Sequence, residues 1–367
     1  MMGMAASVQR IVDNCRFCWM CRHICPVGNA TGTERNNARG RALNISLVNR
    51  GYSFTEDMVD NVYECALCAA CTANCATGFD PTRFVKAARM EAAAEGLIPE
   101  PVVKILASIA EYGNPYEAET IDPDLQKEIA SLPRQAPVLL YLGSTARYLN
   151  PKAAVTAIKL LKKAGISFTV LQDEPDSGLY KLNLLGPVAE ARNDLVKAAE
   201  GINATKAETL VAFSPESAKA FLRDYPEQNV SLTPKIRTFT SFIRDLIAEG
   251  ALKPRRSRTL FTYHDPCTLA RDLEEESPPR EIISACGSLK EMYLRGKNTV
   301  CCGSGLLALY KPELTEKTAA VRWQSAKETG AEVLVTACPA CHNVFAKTKP
   351  KDMELCGLET VVWEACK

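Results

Sequence analysis

The sequence predicts a two-part fold of class α+α/β: an α-helical N-terminal module holding two cysteine runs, followed by an α/β domain present twice over. Three observations predict it. Two runs of spacing C-x2-C-x2-C-x3-C stand at Cys15, Cys18, Cys21, Cys25 and at Cys65, Cys68, Cys71, Cys75, and the insert between them carries apolar residues at helical rather than alternating intervals. From Pro137 onward short apolar runs alternate with helical stretches, the pattern of a parallel sheet. Within that region TLVAFSPES (209–217) and EVLVTACPAC (332–341) share an apolar pattern and a proline position, so the second α/β unit repeats the first.

Taken in order, residues 1–95 form the helical module, with helices expected over 39–48, 55–62 and 81–94. Helices framing the runs argue against the compact hairpin arrangement, whose two runs lie closer together. Residues 96–136 carry Pro99, Pro101, Pro115, Pro123 and Pro133 around one short helix over 102–111, and read as a helical linker. Residues 137–250 give strand VLLYLG, helix 151–164, strand ISFTVL, helix 188–200, strand TLVAF, a helix from Glu216 and a helix 238–249 that stops at Gly250. The basic run KPRRSR (253–258) then leads as a solvated loop into strand TLFTYH and the second unit, 251–367.

Composition bounds the chemistry. With 367 residues, 47% apolar and 24% charged, the chain has the make-up of a globular protein of two or three domains. A net charge of +1 leaves no electrostatic footprint for nucleic acid, and no apolar run approaches the roughly 20 residues of a membrane span. Sixteen cysteines without a secretory leader point to a reducing, cytoplasmic setting in which thiols hold metal rather than pair. Any membrane contact would then go through a partner.

Three thiolates at i, i+3 and i+6 wrap one corner of a 4Fe-4S cubane, and the fourth cysteine of such a run serves the other cluster of a pair. One cluster should therefore take Cys15, Cys18, Cys21 and Cys75, the other Cys65, Cys68, Cys71 and Cys25. Zinc knuckles are the alternative, but their paired cysteines are usually separated by longer loops. Phe17, Trp19 and Ile24 sit inside the first run, as shields of the sulphurs or as ordinary core.

Five more cysteines, Cys267, Cys301, Cys302, Cys338 and Cys341, lie in three distant segments of the second α/β unit. Adjacent cysteines bridge each other poorly and zinc needs only four ligands, so these thiols point to a further iron-sulphur cluster, either noncubane or a four-ligand cubane with one spare thiol. In the first unit the matching positions are Ser144, Asp176-Ser177-Gly178, Ser214 and Ser217, and hydroxyls are poor ligands for such a cluster. That site is expected to be empty. His23, His264 and His342 each adjoin a cluster cysteine; His264 is the one expected to donate a hydrogen bond to sulphur. Cys356 and Cys366 fit no ligand spacing and read as structural. No dinucleotide fingerprint, phosphate loop or catalytic triad is present in the sequence, so no catalytic side chain is assigned.

With those residues placed, the chain resembles the cysteine-rich CCG-domain iron-sulphur family, which includes the iron-sulphur subunits of glycolate oxidase, D-lactate dehydrogenase and anaerobic glycerol-3-phosphate dehydrogenase, and heterodisulfide reductase subunits. The matching pieces are both cysteine runs, RGRAL (39–43), YHDPC (263–267), PREII (279–283), CCGSG (301–305) and CPAC (338–341), spread over nearly the whole chain. The resemblance implies a ferredoxin-type module with two 4Fe-4S clusters, a duplicated CCG domain and a third cluster in its second copy. It further implies an electron-transfer subunit working between an FAD-dependent dehydrogenase of 2-hydroxy acids or polyol phosphates and a quinone or other carrier. The alternative it offers is a heterodisulfide reductase-like subunit that reduces a disulfide at its CCG cluster. Only one of the two CCG repeats is intact here, which favours the relay.

Overall fold

A computed structural model describes residue 12 and residues 14–367. Among them the chain up to Ala130 forms helices only, and the first strand begins at Val138. Helix Pro26–Thr31 starts directly after Cys25 with proline in its first turn, where the missing N–H removes no hydrogen bond. Helices Ala38–Asn49, Glu56–Tyr63 and Pro81–Ala94 are capped by the side chains of Asn37, Thr55 and Asp80, which accept from the N–H groups of Gly40, Met58 and Thr82. The expected helices are therefore present, shifted by a residue at most. Ala42, Ile45, Val59, Val62, Phe84 and Ala88 meet in one core, which also takes in Tyr180, Leu184 and Tyr310 from the α/β region.

The proline-rich stretch after this module is more than a tether. Its expected helix runs Glu100–Tyr112, and a second one, Pro123–Ala130, is capped by Asp122. Leu125 and Ile129, on one face of that helix, are buried in the core against the first α/β unit. Tertiary packing holds a helix too short to announce itself by periodicity.

The α/β region contains two parallel four-stranded sheets. In the first, β1 (Val138–Tyr141), β2 (Phe168–Thr169), β3 (Thr209–Ala212) and β4 (Lys235–Thr238) lie in the order β2-β1-β3-β4; in the second, β5 (Leu260–His264), β6 (Ser288–Leu289), β7 (Val333–Thr336) and β8 (Glu354–Gly357) lie in the order β6-β5-β7-β8. The orders are the same. In each sheet the chain starts in the middle, moves to one edge and then returns to the other side, so the carboxyl ends of the first and third strands flank a crevice suited to a ligand.

The two units also pack as equivalents. The first long helix of unit one, Pro151–Lys163, lies on the last helix of unit two, Leu358–Ala365, while the last of unit one, Phe239–Ala248, lies on the first long helix of unit two, Ser277–Cys286. This exchange is what a two-fold axis between the units would produce. A single core runs through the junction, with Ile158, Leu161 and Ile243 against Ile283, Val361 and Val362. Cys286 is buried there and Cys356 and Cys366 pack on its edge, so these three thiols act as small apolar side chains. The 253–258 run is a largely exposed loop, and no helix among the described residues is long and apolar enough to cross a membrane.

One buried cation fastens the helical module to the first unit. Arg89, 0% exposed, donates to the carbonyls of Val62, Tyr63 and Cys65 at 3.1, 3.3 and 2.8 Å and to that of Asn183 at 2.8 Å. Arg89→Ala strands these acceptors and opens a cavity, an expected loss of about 3 kcal/mol, measured as a lowered urea midpoint. A Lys replacement is expected to recover little, since one ammonium cannot reach all four carbonyls.

Candidate iron-sulphur centres

The two N-terminal runs share an unusual backbone. Phe17 and Leu67, each two residues after the first cysteine of its run, adopt φ of 50° and 49°, a left-handed conformation that costs bulky residues energy. The strain turns the same donor inward in both runs: Phe17 N–H to Cys15 Sγ and Leu67 N–H to Cys65 Sγ, both at 3.4 Å. Such bonds stabilise a thiolate over a thiol.

The runs interleave. Burial raises the Cys15 thiol, and Cys75 and Cys18 beside it raise it further; burial likewise pushes Cys21 up to about 11, with Cys15, Cys25 and Cys18 adding to the effect. In the other direction, Cys25 and Cys71 are raised first by burial and then by Cys65 and Cys68. The last cysteine of each run thus lies near the other run, Cys75 by Cys15 and Cys25 by Cys68 and Cys65. Opposing charge is supplied by Arg41 of the RGRAL segment, which lowers Cys25 while donating to the carbonyls of Asn61 and Asn36 at 2.8 and 2.7 Å. Against burial, the Thr77 hydroxyl, 3.3 Å from Cys75 Sγ, and the N–H groups of Thr77, Phe79 and Gly78 hold that thiol below its ordinary range.

The third group gathers at the carboxyl ends of β5 and β7. Cys267 follows β5 in the HDPC segment, where Asp265 is fixed by Arg280 of PREII at 2.7 Å and by the Gly296 N–H at 2.9 Å. Cys338 caps helix Pro339–Lys347 and accepts from the Cys341 N–H at 3.5 Å. Between them, the Cys301-Cys302 loop turns at Gly303, whose φ of 82° and N–H bond to Cys301 Sγ at 3.3 Å call for glycine. Thr318 Oγ1 donates to the Cys302 carbonyl and Thr315 Oγ1 to that of Gly303, at 2.8 and 3.0 Å. The result is convergence: Cys267 and Cys301 sulphurs are 3.7 Å apart, Ser304 Oγ lies 3.6 Å from Cys341 Sγ, and the ligand atoms of His264, Cys302 and Cys341 all fall within 4.8 Å of one another.

His264 is placed by Arg322, whose Nε donates to Nδ1 at 3.1 Å. Nδ1 is then the acceptor and Nε2 carries the proton. Nε2 is buried without a hydrogen-bond partner among the described residues, although the imidazole stands with Cys302 and Cys341 in one group, and burial lowers the histidine's pKa. His342 instead meets Asn150 at 3.1 Å, and His23 is exposed.

The inner group packs on the middle one: Cys68 and Cys301 share one buried cluster with Ile24, and the Cys301 thiol, as the largest influence, pulls Cys68 down to about 6. Cys21 lies within electrostatic reach of Cys71. Exposure falls along the same line, from Cys18 and its exposed neighbours Trp19 and Met20 to the fully buried Cys302. Trp19, 55% exposed, is flanked by the guanidiniums of Arg22 and Arg39 at 5.2 and 4.2 Å, so it shields no sulphur; Ile24 is buried against Cys68 and Cys301. Soft donors in grouped sets, N–H groups aimed at sulphur, and buried orphan donors on His264 and Arg271 fit iron-sulphur clusters.

The relatives agree with that chemistry. Residues 11–79 match the 4Fe-4S dicluster domain family and residues 261–346 the cysteine-rich domain family CCG. The chain thus carries a CCG cysteine-rich domain behind a 4Fe-4S dicluster domain. It is 27% identical to one of the subunits of dihydromethanophenazine:CoB--CoM heterodisulfide reductase of Methanosarcina acetivorans, over 90% of this chain and 87% of that one. To the glycolate oxidase iron-sulfur subunit of Escherichia coli it is 23% identical, over 93% and 91%. A probable iron-sulfur-binding oxidoreductase of Bacillus subtilis, FadF, is 24% identical over 80% of this chain but only 44% of its own length.

The CCG match covers the second α/β unit alone, yet the first unit repeats its turn in oxygen. Gly178 has φ of 76° and donates to Asp176 Oδ1 at 2.8 Å, as Gly303 does to Cys301 Sγ. Ser144 Oγ donates to Asp176 Oδ2 at 2.6 Å, and Glu174 accepts from the N–H groups of Leu142 and Gly143 at 2.8 and 2.7 Å. The polar atoms satisfy each other without a metal. A carboxylate from this unit reaches the thiols: Glu216, pushed up to about 7 by burial and then by Cys302 and Asp176, lines with Tyr180 and Lys219 a cavity of about 90 Å³ bordered by Cys65, Cys267, Cys338 and Cys341. Sequence reading missed it, because its position matches Ala340 of CPAC.

Glu174 gives this CCG-domain protein a measurable pH signature. Burial raises its pKa from 4.5 to about 7, so the folded state holds the proton more tightly than the unfolded chain. Its contribution is complete below about pH 4.5 and is lost as pH rises through about 7. Urea midpoints measured at intervals from about pH 5 to about pH 8 should fall less steeply in Glu174→Gln, which keeps an acceptor for the two N–H groups.

Proposed function

We propose that the chain is an electron-relay subunit with three iron-sulphur centres. Cys15, Cys18, Cys21 and Cys75 would hold the outer one, Cys65, Cys68, Cys71 and Cys25 the middle one, and Cys267, Cys301, Cys302, Cys338 and Cys341 the inner one. When bound, such clusters supply one-electron transfer. The observation that carries this reading is the packing of Cys68 of the second run against Cys301 of the inner group, with the exposed Cys18 at one end of the grouped thiols and the buried Cys302 at the other. We take the two sheets of equal strand order as a duplicated CCG domain whose first copy, 137–250, has lost its thiols.

In this scheme the chain's own residues do three things. Arg41 places positive charge beside Cys25, the Phe17, Leu67 and Gly303 N–H groups donate to sulphur, and the buried His264 keeps an unpartnered Nε2 N–H within the Cys302–Cys341 group. All three favour added negative charge at the thiolates and so raise potential. The exposed edge at Cys18, Trp19 and Met20 is where a partner would approach. Substrate oxidation by hydride loss needs an acceptor of two electrons, which cysteines and one-electron centres do not provide, and this supports a flavoprotein partner handling a 2-hydroxy acid or polyol phosphate. The oxygen-lined first copy, which brings Glu216 and no thiol to the inner cysteines, speaks for relay over disulfide reduction.

Anaerobically purified chain is expected to contain about twelve irons, four per cluster. A count near sixteen would mean that the Ser144–Asp176 site is filled after all. Cys25→Ala should damage the signal of the Cys65–Cys71 centre more than that of the Cys15–Cys21 centre; the reverse would refute the interleaved assignment. Substrate should reduce the centres only when the flavoprotein is added, and reduction of the flavin-free chain by substrate alone would sink the relay.

A further inference from the structure

The contact between the middle and inner cysteine groups is organised by one side chain. Arg271 leaves the π-helical turn Thr268–Asp272 that follows Cys267. Its Nε donates to the carbonyl of Cys68 at 2.6 Å, and its Nη1 to the carbonyls of Lys297 and Thr299 at 3.1 and 2.8 Å. One planar group thus holds the second cysteine run and the loop leading into Cys301-Cys302. Its Nη2 is buried with no oxygen or nitrogen partner among the described residues.

A buried cation needs a counter-charge, and Arg271 forms no ion pair with a carboxylate among the described residues. Burial opposes its charge, but Cys68, Cys267 and Cys301, ahead of Asp272, draw its pKa above the ordinary range. Asp272, next in the chain, feels Lys219 before Arg271.

The first α/β unit contains the same device without the junction. Arg147, in GSTAR, donates from Nη1 to the Leu171 carbonyl at 3.0 Å and from Nη2 to the Gln172 carbonyl at 2.6 Å, bracing the loop that leads to Asp176-Ser177. Its Nε is buried and unpartnered. Bracing the loop is thus common to both units, and what Arg271 adds is the bond to Cys68 and a spare N–H among thiols.

We propose that Arg271 is the positioning residue that couples the middle centre to the inner one: it fixes their two loops in contact and sets a positive charge and an N–H donor between their sulphurs, raising the reduction potential on both sides of the junction. This rests on the cluster occupancy proposed above. A fixed positive charge favours whichever state carries the extra electron, and an N–H bond to sulphur acts in the same direction. Arginine suits the place because its rigid fork serves three carbonyls and still presents a free edge.

The test compares Arg271→Gln, Arg271→Lys and Arg147→Gln in full-length, anaerobically purified chain, with iron and sulphide assayed first and midpoint potentials then read by EPR-monitored redox titration. Arg271→Gln should keep its iron and lower the potentials of the middle and inner centres, with the outer one unmoved. The expected size is about tenfold in the reduced-to-oxidised ratio at fixed potential, or ~59 mV for one electron. Arg271→Lys, which keeps the charge and loses the fork, should recover part of that shift. Arg147→Gln should lower the urea midpoint and leave every potential in place. Unchanged potentials in an iron-replete Arg271→Gln, or an equal shift in Arg147→Gln, would overturn the proposal. Should the Gln variant lose its iron, the Lys variant decides, and wild-type potentials there overturn it too. Absence of iron from the wild-type chain would instead strike at the cluster reading itself.

Discussion

Thiolates crowded into a dry interior repel one another, and much of this structure is a response to that repulsion. Burial and neighbouring sulphurs together raise Cys21, Cys71, Cys301 and Cys341. Arginines turned inward stand beside the middle and inner groups. Arg41 acts on Cys25, Arg89 feels Cys65, Arg271 feels Cys68, Cys267 and Cys301, and Arg322 reaches the Cys302 neighbourhood through His264. Each guanidinium also spends its donors on backbone carbonyls of the loops that present the thiols. Charge balance and loop shape are therefore set by the same four side chains, and neither can be altered without the other.

The backbone contributes the second half of the solution. Strain at Phe17 and Leu67, and left-handed glycine at Gly303, bring N–H groups to sulphur where no side chain would fit. Parallel strands supply the fixed points: β5 ends at His264 and β7 at Thr336, neighbours in register, so Cys267 and Cys338 start from a common edge. Rigid elements carry the loops, and the loops carry the chemistry.

Much of this was legible in the sequence because it is local. The cysteine spacings, the helices over 39–48, 55–62 and 81–94, and the strands VLLY, TLVA and LFTYH each follow from residues close together in the chain. So does the oxygen-for-sulphur correspondence of Asp176-Ser177-Gly178 with Cys301-Cys302-Gly303. What escaped is non-local or short. β4 (KIRT) and β8 (ELCG) are edge strands with little apolar alternation, and helix Pro123–Ala130 owes its place to Leu125 and Ile129 meeting a sheet. The Cys68–Cys301 contact depends on how the helical module docks, which no spacing rule encodes. Arginine in both GSTAR and CTLAR was the one available hint of Arg271, and it gave the loop brace without the junction.

The graded burial of the three cysteine groups has a bearing on how the protein is made. Cys302 is 0% exposed, and Cys68 with Ile24 closes over Cys301, so once the helical module is seated the inner thiols are approached only past the part-exposed Cys267 and the small cavity it borders. Cys18, at the surface, stays open throughout. Iron and sulphide would reach the inner thiols most readily before the module docks, so maturation would proceed from the inside outward, and repair in the finished molecule would be easiest at its outermost end.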